Sequence, residues 1–314
     1  MRRIWFLTIW LFLFCCITVN AGSQVIMAVQ EEEYADIDEN GFLLEGEDIY
    51  ENAEEGIWHY NSPNLRIDIV RYYDAVQNLT WTEAEIFARN DNIFRMVPYH
   101  RDQWMKSQNW PETIARENHV IFAVNSDFAH VRIAQKSIVG IVIRDSKTIS
   151  DRTKRKGSSG FPNLDTLALF MDGDMRVFDS NEFTAKQYLQ LGAVDVLAFG
   201  PYLIRDGRLN ETAILKYGSS RAPRTAVGMI EKGHYYAMML EGRHEKSRGA
   251  GISFLANKLY EKGCIIAMNL DGGQTATMLF MGKQIITVGQ TTVKDASARR
   301  TAEILGIGYS EQVR

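Results

Sequence analysis

Residues 65–72 (Leu-Arg-Ile-Asp-Ile-Val-Arg-Tyr) alternate apolar and polar side chains, the mark of a strand with one buried face. Residues 79–88 predict a second strand, and residues 120–124, 138–143, 166–170, 194–199, 235–240 and 264–268 are short apolar runs of strand length. A further strand is expected at 276–281, with Gly282-Lys283 turning the chain into 284–288. Asp172-Gly173 is a hairpin signal leading into 175–178, and Asp206-Gly207 is another. Three stretches read as helices. Residues 111–118 open with Pro111 in the position where proline is tolerated, and 184–191 run up to Gly192. Residues 252–262 place Ile252, Leu255, Ala256, Leu259 and Tyr260 on one face, and Gly263 stops the helix. No internal repeat is present. The pattern predicts an α+β fold of mixed β-sheets with a few packed helices. Strand 235–240, helix 252–262 and strand 264–268 form a crossover, which puts both strand ends on one side. Glu241-Gly242-Arg243 and Asp271-Gly272-Gly273 would then share one rim of the sheet.

The N-terminus departs from this pattern. Met1-Arg2-Arg3 precedes an almost wholly apolar stretch, 4–19, followed by Asn20-Ala21-Gly22-Ser23. Sixteen residues are fewer than the ~20 of a spanning helix, so 1–22 is expected to be a cleaved secretory signal, with an uncleaved anchor as the alternative. The chain is therefore expected to be secreted or extracytoplasmic, touching membrane only through that segment. Residues 31–56 contain twelve Asp/Glu and no Lys/Arg, so 23–56 is expected to be a disordered acidic linker before a folded domain at 57–314. The whole chain carries a formal charge of −4. Without the two signal arginines and the twelve linker acids, 33 basic and 27 acidic residues remain. That leaves the folded part at about +6, which suits an anionic ligand.

Candidate chemistry centres on Asn269-Leu270-Asp271-Gly272-Gly273-Gln274-Thr275-Ala276-Thr277-Met278. It sets a carboxylate, two glycines and hydroxyls on a short loop, where consecutive amides can cradle an anion. The plain alternative is a tight turn with no chemistry. Cys264 is the one cysteine beyond the signal, so no intramolecular disulfide forms in the mature chain; at the head of a strand it reads as a small core residue. No Cys/His cluster has zinc spacing and no glycine-rich nucleotide loop occurs, so no cofactor and no nucleic-acid partner is expected. The clustered carboxylates could hold a divalent ion, but no ligand spacing demands one. Residues 151–161 are basic, then Gly/Ser-rich, and read as a surface loop or a flap over substrate. Asn78-Leu79-Thr80 and Asn210-Glu211-Thr212 are glycosylation sequons, relevant only in a eukaryotic secretory route.

Five segments in order carry a family resemblance. They are Asn125-Ser126-Asp127-Phe128, Phe199-Gly200-Pro201-Tyr202-Leu203, Pro223-Arg224-Thr225-Ala226-Val227-Gly228, Glu241-Gly242-Arg243 and the 269–278 loop. Over residues 65–308 the chain resembles the phosphodiester glycosidase family. Three departures stand out: Ser126 for glycine, Glu241 for aspartate, and Gln274-Thr275-Ala276 for Gly-Ser-Ser.

The resemblance implies an exported glycosidase that hydrolyses sugar-1-phosphodiester linkages, such as those of α-linked N-acetylglucosamine, in cell-surface glycans. Its partner would be a sugar-phosphate glycan. Arg224, Arg243 and Arg299 would meet the phosphate, since guanidinium binds it bidentately, with the Gly272 and Gly273 amides as a cradle. Asp271, Glu241 and Asp127 are the candidates to activate water or stabilise the developing positive charge. Asn125 and Asn269 are expected at sugar hydroxyls, and Thr225 or Thr275 at phosphate. Each has an alternative: Arg224 could pair with a carboxylate, Asp127 could be a turn residue, and His130 and His244 could be ordinary packed histidines. Two other readings are a wall protein that binds such glycans without turnover, and cleavage on the phosphorus side.

Overall fold

The computed structural model describes residues 36–104, 107–127, 139–152, 164–287 and 299–314. Their strands form three sheets. The largest has nine strands in spatial order: β1 (Asp48–Asn52), β2 (Ile57–Asn61), β3 (Leu65–Asp74), β4 (Leu79–Ala88), β15 (His234–Leu240), β14 (Arg224–Glu231), β16 (Ile266–Leu270), β12 (Tyr202–Arg205) and β13 (Arg208–Leu209). The second orders β10 (Met175–Phe178), β9 (Asp165–Phe170), β11 (Ala193–Phe199), β7 (Gly140–Arg144) and β8 (Lys147–Arg152). The third orders β18 (Lys283–Gln284), β17 (Met278–Phe280), β6 (Val120–Asn125), β19 (Glu303–Tyr309) and β5 (Arg95–Pro98). Every strand pairing described is antiparallel. With helices α1 (Pro111–Glu117), α2 (Ala185–Gln190), α3 (Glu211–Tyr217) and α4 (Ile252–Glu261), the architecture is the expected α+β.

Both faces of the large sheet are covered at its central strands β15, β14 and β16, which explains their unbroken apolar runs. Ala237 and Met239 of β15, Val227 and Met229 of β14, and Met268 and Leu270 of β16 join one core with residues of the other two sheets. The alternate positions, among them Ala226, Met238, Leu240 and Ala267, pack on Ile252, Leu255, Ala256 and Leu259 of α4. Each buried Val, Leu, Ile or Met among them is worth roughly 1.5–3 kcal/mol of transfer free energy, and each alanine less. Tyr260, expected on that face, is 50% exposed. Eight residues on from Ile252 it has rotated some 80° off the stripe. Gly263 adopts φ +86°, and the turn it makes takes up Cys264 and Ile265. β16 therefore starts at Ile266, two residues later than the apolar run suggested, and keeps Asn269 inside the ladder opposite Ala226. α2 is fixed by a reciprocal cap between Thr184 and Gln187.

One expectation is overturned. The acidic stretch is not a disordered linker over residues 36–56, because β1 pairs along β2 from Asp48 to Asn52. Phe42 and Leu43 are buried, and the Arg89 guanidinium lies 3.8 Å from the centre of the Phe42 ring. Its acids do not simply repel one another. Asp38 pairs with Arg89 at 2.6 Å, and Glu47 accepts hydrogen bonds from the Tyr60 and Ser310 hydroxyls at 3.0 and 2.6 Å. Composition counted the charges but not their partners, which arrive from distant strands. The apolar N-terminal segment, His130, and most of the basic loop at 151–161 lie outside the described residues. Among the described residues no helix is long and apolar enough to cross a membrane.

Candidate active site

β14 runs between β15 and β16 and antiparallel to both, so its start adjoins their ends: Arg224 lies opposite Leu240, and Thr225 opposite Leu270. Pro223-Arg224, Glu241-Gly242-Arg243 and Asp271-Gly272-Gly273 therefore leave the sheet at one edge, as the crossover predicted. β6 of the third sheet brings Asn125 to the same place. Its side-chain amide donates to the Asp271 and Ser126 carbonyls at 2.8 and 3.0 Å. Its oxygen accepts from the Thr225 hydroxyl at 2.7 Å and the Thr277 amide at 3.0 Å. Those four bonds exhaust an asparagine's capacity. Asn125 and Thr225, expected to bind substrate, are instead a buried latch tying two sheets together beneath the loop.

Asp271 sits above that latch. Protein surrounds its carboxyl even though part of the residue reaches solvent, and burial pushes its pKa up to about 6. The Gly272 amide, which donates to it at 2.8 Å, and the nearby Thr275 hydroxyl pull the other way; the negative charge of Asp127 adds to the rise, and Arg299 opposes it. The glycines are there for space and conformation. A Cβ on Gly272 would come within 2.6 Å of the Pro223 carbonyl oxygen. Gly273 has φ +64° and donates to the same oxygen at 3.0 Å. The Arg243 guanidinium lies against Gly273, and Arg243 itself holds a left-handed φ of +63°, a conformation that costs a non-glycine residue ~1–2 kcal/mol.

Arg224 is half-buried beside Gly272, and one terminal nitrogen donates to the Ser220 carbonyl at 2.9 Å. Its pKa is lowered, first by desolvation and then by the positive charge of Arg243, against the opposing pull of Asp271. Among the described residues neither Arg224 nor Arg243 makes an ion pair. Two guanidiniums at a rim with one carboxyl, Asp271, leave positive charge uncompensated, and an anionic ligand would balance it. Arg299 is exposed and is held by Gln274, whose side-chain oxygen accepts from its Nε at 3.1 Å. Gln274, a departure from the family pattern, thus acts as a tether for one of the candidate arginines.

The other two candidate carboxylates are placed differently. Asp127 is fully buried, accepts from the Ala198 amide at 2.8 Å and lies 3.5 Å from Arg144. Arg144, also fully buried, pairs with Glu303 at 2.6 Å and donates to the Val196 carbonyl at 2.5 Å. Asp127 is thus one of two carboxylates in a buried cluster around Arg144. Arg144 and Glu303 escaped the sequence reading; a charge at the end of each apolar strand was the only signal for them. Glu241 is 3% exposed, accepts from the Thr287 amide at 2.9 Å and lies 3.1 Å from His244 Nε2. Asn269 donates to the Gly200 carbonyl at 2.8 Å, while its own oxygen is buried with no partner among the described residues. Cys264 is a core residue, its thiol pushed up to about 12 by burial.

A model of the phosphodiester glycosidase family matches residues 118–308, more than half of the chain. The chain belongs to the phosphodiester glycosidase family. It is similar to the catalytic domain of zebrafish N-acetylglucosamine-1-phosphodiester α-N-acetylglucosaminidase, solved in a form auto-inhibited by its pro-peptide: 18% identical, TM-score 0.61, covering 84% of this chain and 88% of that one. A hypothetical protein from Synechocystis has a TM-score of 0.52 at 13% identity, covering 79% of this chain and 63% of that one. At such identities these two likenesses show the fold. The SPbeta prophage-derived uncharacterized protein YomE of Bacillus subtilis (strain 168) is 23% identical over 201 residues, 63% of this chain. The matched stretch spans only 29% of that relative's length.

Proposed function

We propose that this phosphodiester glycosidase is a hydrolase acting outside the cytoplasm, which cleaves a sugar-1-phosphodiester at the anomeric carbon. The observation that carries the reading is the pair of unpaired guanidiniums, Arg224 and Arg243, set against the Asp271 carboxyl over a glycine floor. In the proposed step a water oxygen bonds to the anomeric carbon and gives its proton to the Asp271 carboxylate. The carbon–oxygen bond to phosphate breaks, and its electron pair leaves with the phosphomonoester. Arg224, Arg243 and Arg299 take up the charge that gathers on the leaving oxygens; a charge-assisted hydrogen bond contributes ~1.5–3 kcal/mol. Asp127 and Glu241 act through the groups they hold. An N-acetylglucosamine-like sugar is the first substrate to try, on the strength of the similar zebrafish enzyme's name, and the apolar N-terminal stretch supports export.

The test is hydrolysis of α-N-acetylglucosamine-1-phosphoglycerol by the full chain in heavy-oxygen water. Cleavage at the anomeric carbon labels the sugar, whereas attack at phosphorus labels the phosphate and sinks the proposed step. With Asp271 as the base, kcat/KM should climb through about pH 6 and level off above it. The bond is not cleaved if the protein only binds such glycans, a reading favoured by Gln274 in the glycine floor and by the engagement of Glu241. In that case calorimetry would show binding without turnover, unchanged in kind by Asp271→Asn.

A further inference from the structure

An open cleft of about 670 Å³ lies alongside this rim, among its lining Gln77, Ser219, Arg221, Arg248 and Phe254. It is built from the two loops that also carry the phosphate-facing arginines. Ala222 pairs with Ala250 across a short bridge, and the Ala222 amide donates to the Ala250 carbonyl at 3.2 Å. Gly242 packs so tightly on Gly249 that an added Cβ would lie 2.9 Å from its Cα. One loop therefore carries Arg221 and Arg224, and the other Arg243, Lys246 and Arg248. Arg224 bends back to the Ser220 carbonyl, at the edge of the cleft.

Against these five cations the second loop sets two acids, Glu245, which is exposed, and Glu241, whose carboxylate is held by the Thr287 amide and His244. Among the described residues none of those five cations makes an ion pair. Arg248 is steadied by a hydrogen bond to the Gln77 carbonyl at 3.3 Å, and Arg221 is exposed. Phe254, itself braced edge-on against Trp81 at 5.4 Å, gives the cleft an apolar wall.

We propose that this cleft is a second anion subsite, which takes the next phosphate along the leaving-group side of a substrate carrying several phosphodiesters in series. It rests on the reading of Arg224 and Arg243 as the first phosphate site. Arg224 does not line the cleft but bonds Ser220, between the lining residues Ser219 and Arg221, so the part of the substrate that reaches the cleft is assigned to the phosphate side rather than the sugar side. The preferred substrate class is then a repeating phosphate-linked glycan or polyol, not a single capped phosphate.

The experiment compares α-N-acetylglucosamine-1-phosphoglycerol with the same compound extended by one further glycerol phosphate, using the full chain and the Arg221→Gln/Arg248→Gln double variant. The extended compound should be favoured roughly tenfold in kcat/KM by the wild type, the gain of one charge-assisted contact. Added salt should erode that preference. The double variant should lose it while hydrolysing the short compound at the wild-type rate. Equal kcat/KM for both compounds in the wild type, or a preference retained by the variant, overturns the proposal. If neither compound is hydrolysed, the enzymatic reading fails by itself, and calorimetry decides the subsite. Tighter binding of the extended compound by the wild type alone sustains it, and equal binding by both proteins ends it.

Discussion

Replacing Asp271 with asparagine should make the protein both inactive and more stable. A carboxyl whose pKa is raised on folding favours the folded state only while protonated, so stability present below its ordinary pKa of 3.8 is lost as pH rises through about 6. The cost to the wild type is well under about 1 kcal/mol at pH 4 and grows to roughly 3 kcal/mol at pH 7. Asparagine does not titrate and keeps an oxygen to accept from the Gly272 amide, which Asp271 binds at 2.8 Å. Its own burial takes back some of the gain, leaving roughly 2 kcal/mol at pH 7, or about 5 °C in Tm. The assay is thermal unfolding of both proteins from pH 4 to pH 8, alongside hydrolysis. The difference should open steadily above pH 4 and be full by pH 7. Parallel Tm curves, or a variant less stable than wild type at pH 7, would refute a carboxyl held against its own ionisation.

Gly272→Ala should lower kcat/KM at least tenfold, because the new methyl meets the Pro223 carbonyl 2.6 Å away and the loop must shift; unchanged kinetics would show the floor to be slack. Arg144→Met should destabilise the fold by about 3–5 kcal/mol, since Asp127 and Glu303 would both lose the buried guanidinium they share, and denaturant titration reads the loss. Phe42→Ala should cost about 3 kcal/mol in the same measurement, whereas a disordered linker would show no change.

Much of this molecule is legible in the sequence, for reasons that are local. The β15–α4–β16 crossover needs only two apolar runs, one amphipathic stripe and a stopping glycine, and it placed Arg243 and Asp271 on one edge. Glycines at 272 and 273 announced an open loop, read as one that approaches a ligand, although the backbone it crowds is that of Pro223. What stayed hidden depends on partners far along the chain. The bonds that fill Asn125 come from Thr225, Asp271 and Thr277, and the cation that encloses Asp127 is Arg144, itself answered by Glu303. A motif shows which residue types meet; it does not show whether a side chain faces a ligand or a neighbouring strand. The acidic N-terminal stretch misled for the same reason, since its net charge says nothing of Arg89, Tyr60 or Ser310.

β1 is the outermost strand of the nine-stranded sheet, and it bears exposed Asp48 and Glu51. Glu51 is paired with Lys283 at 2.9 Å, so among the described residues Asp48 is the free charge of the two against a second copy that would otherwise zip onto the open backbone. A shortened protein beginning at Ile57 would bare β2, with Trp58 and Tyr60 behind it, as a sticky seam. Such a product should clump during preparation, and an inactive sample made that way would say nothing about the chemistry of the rim.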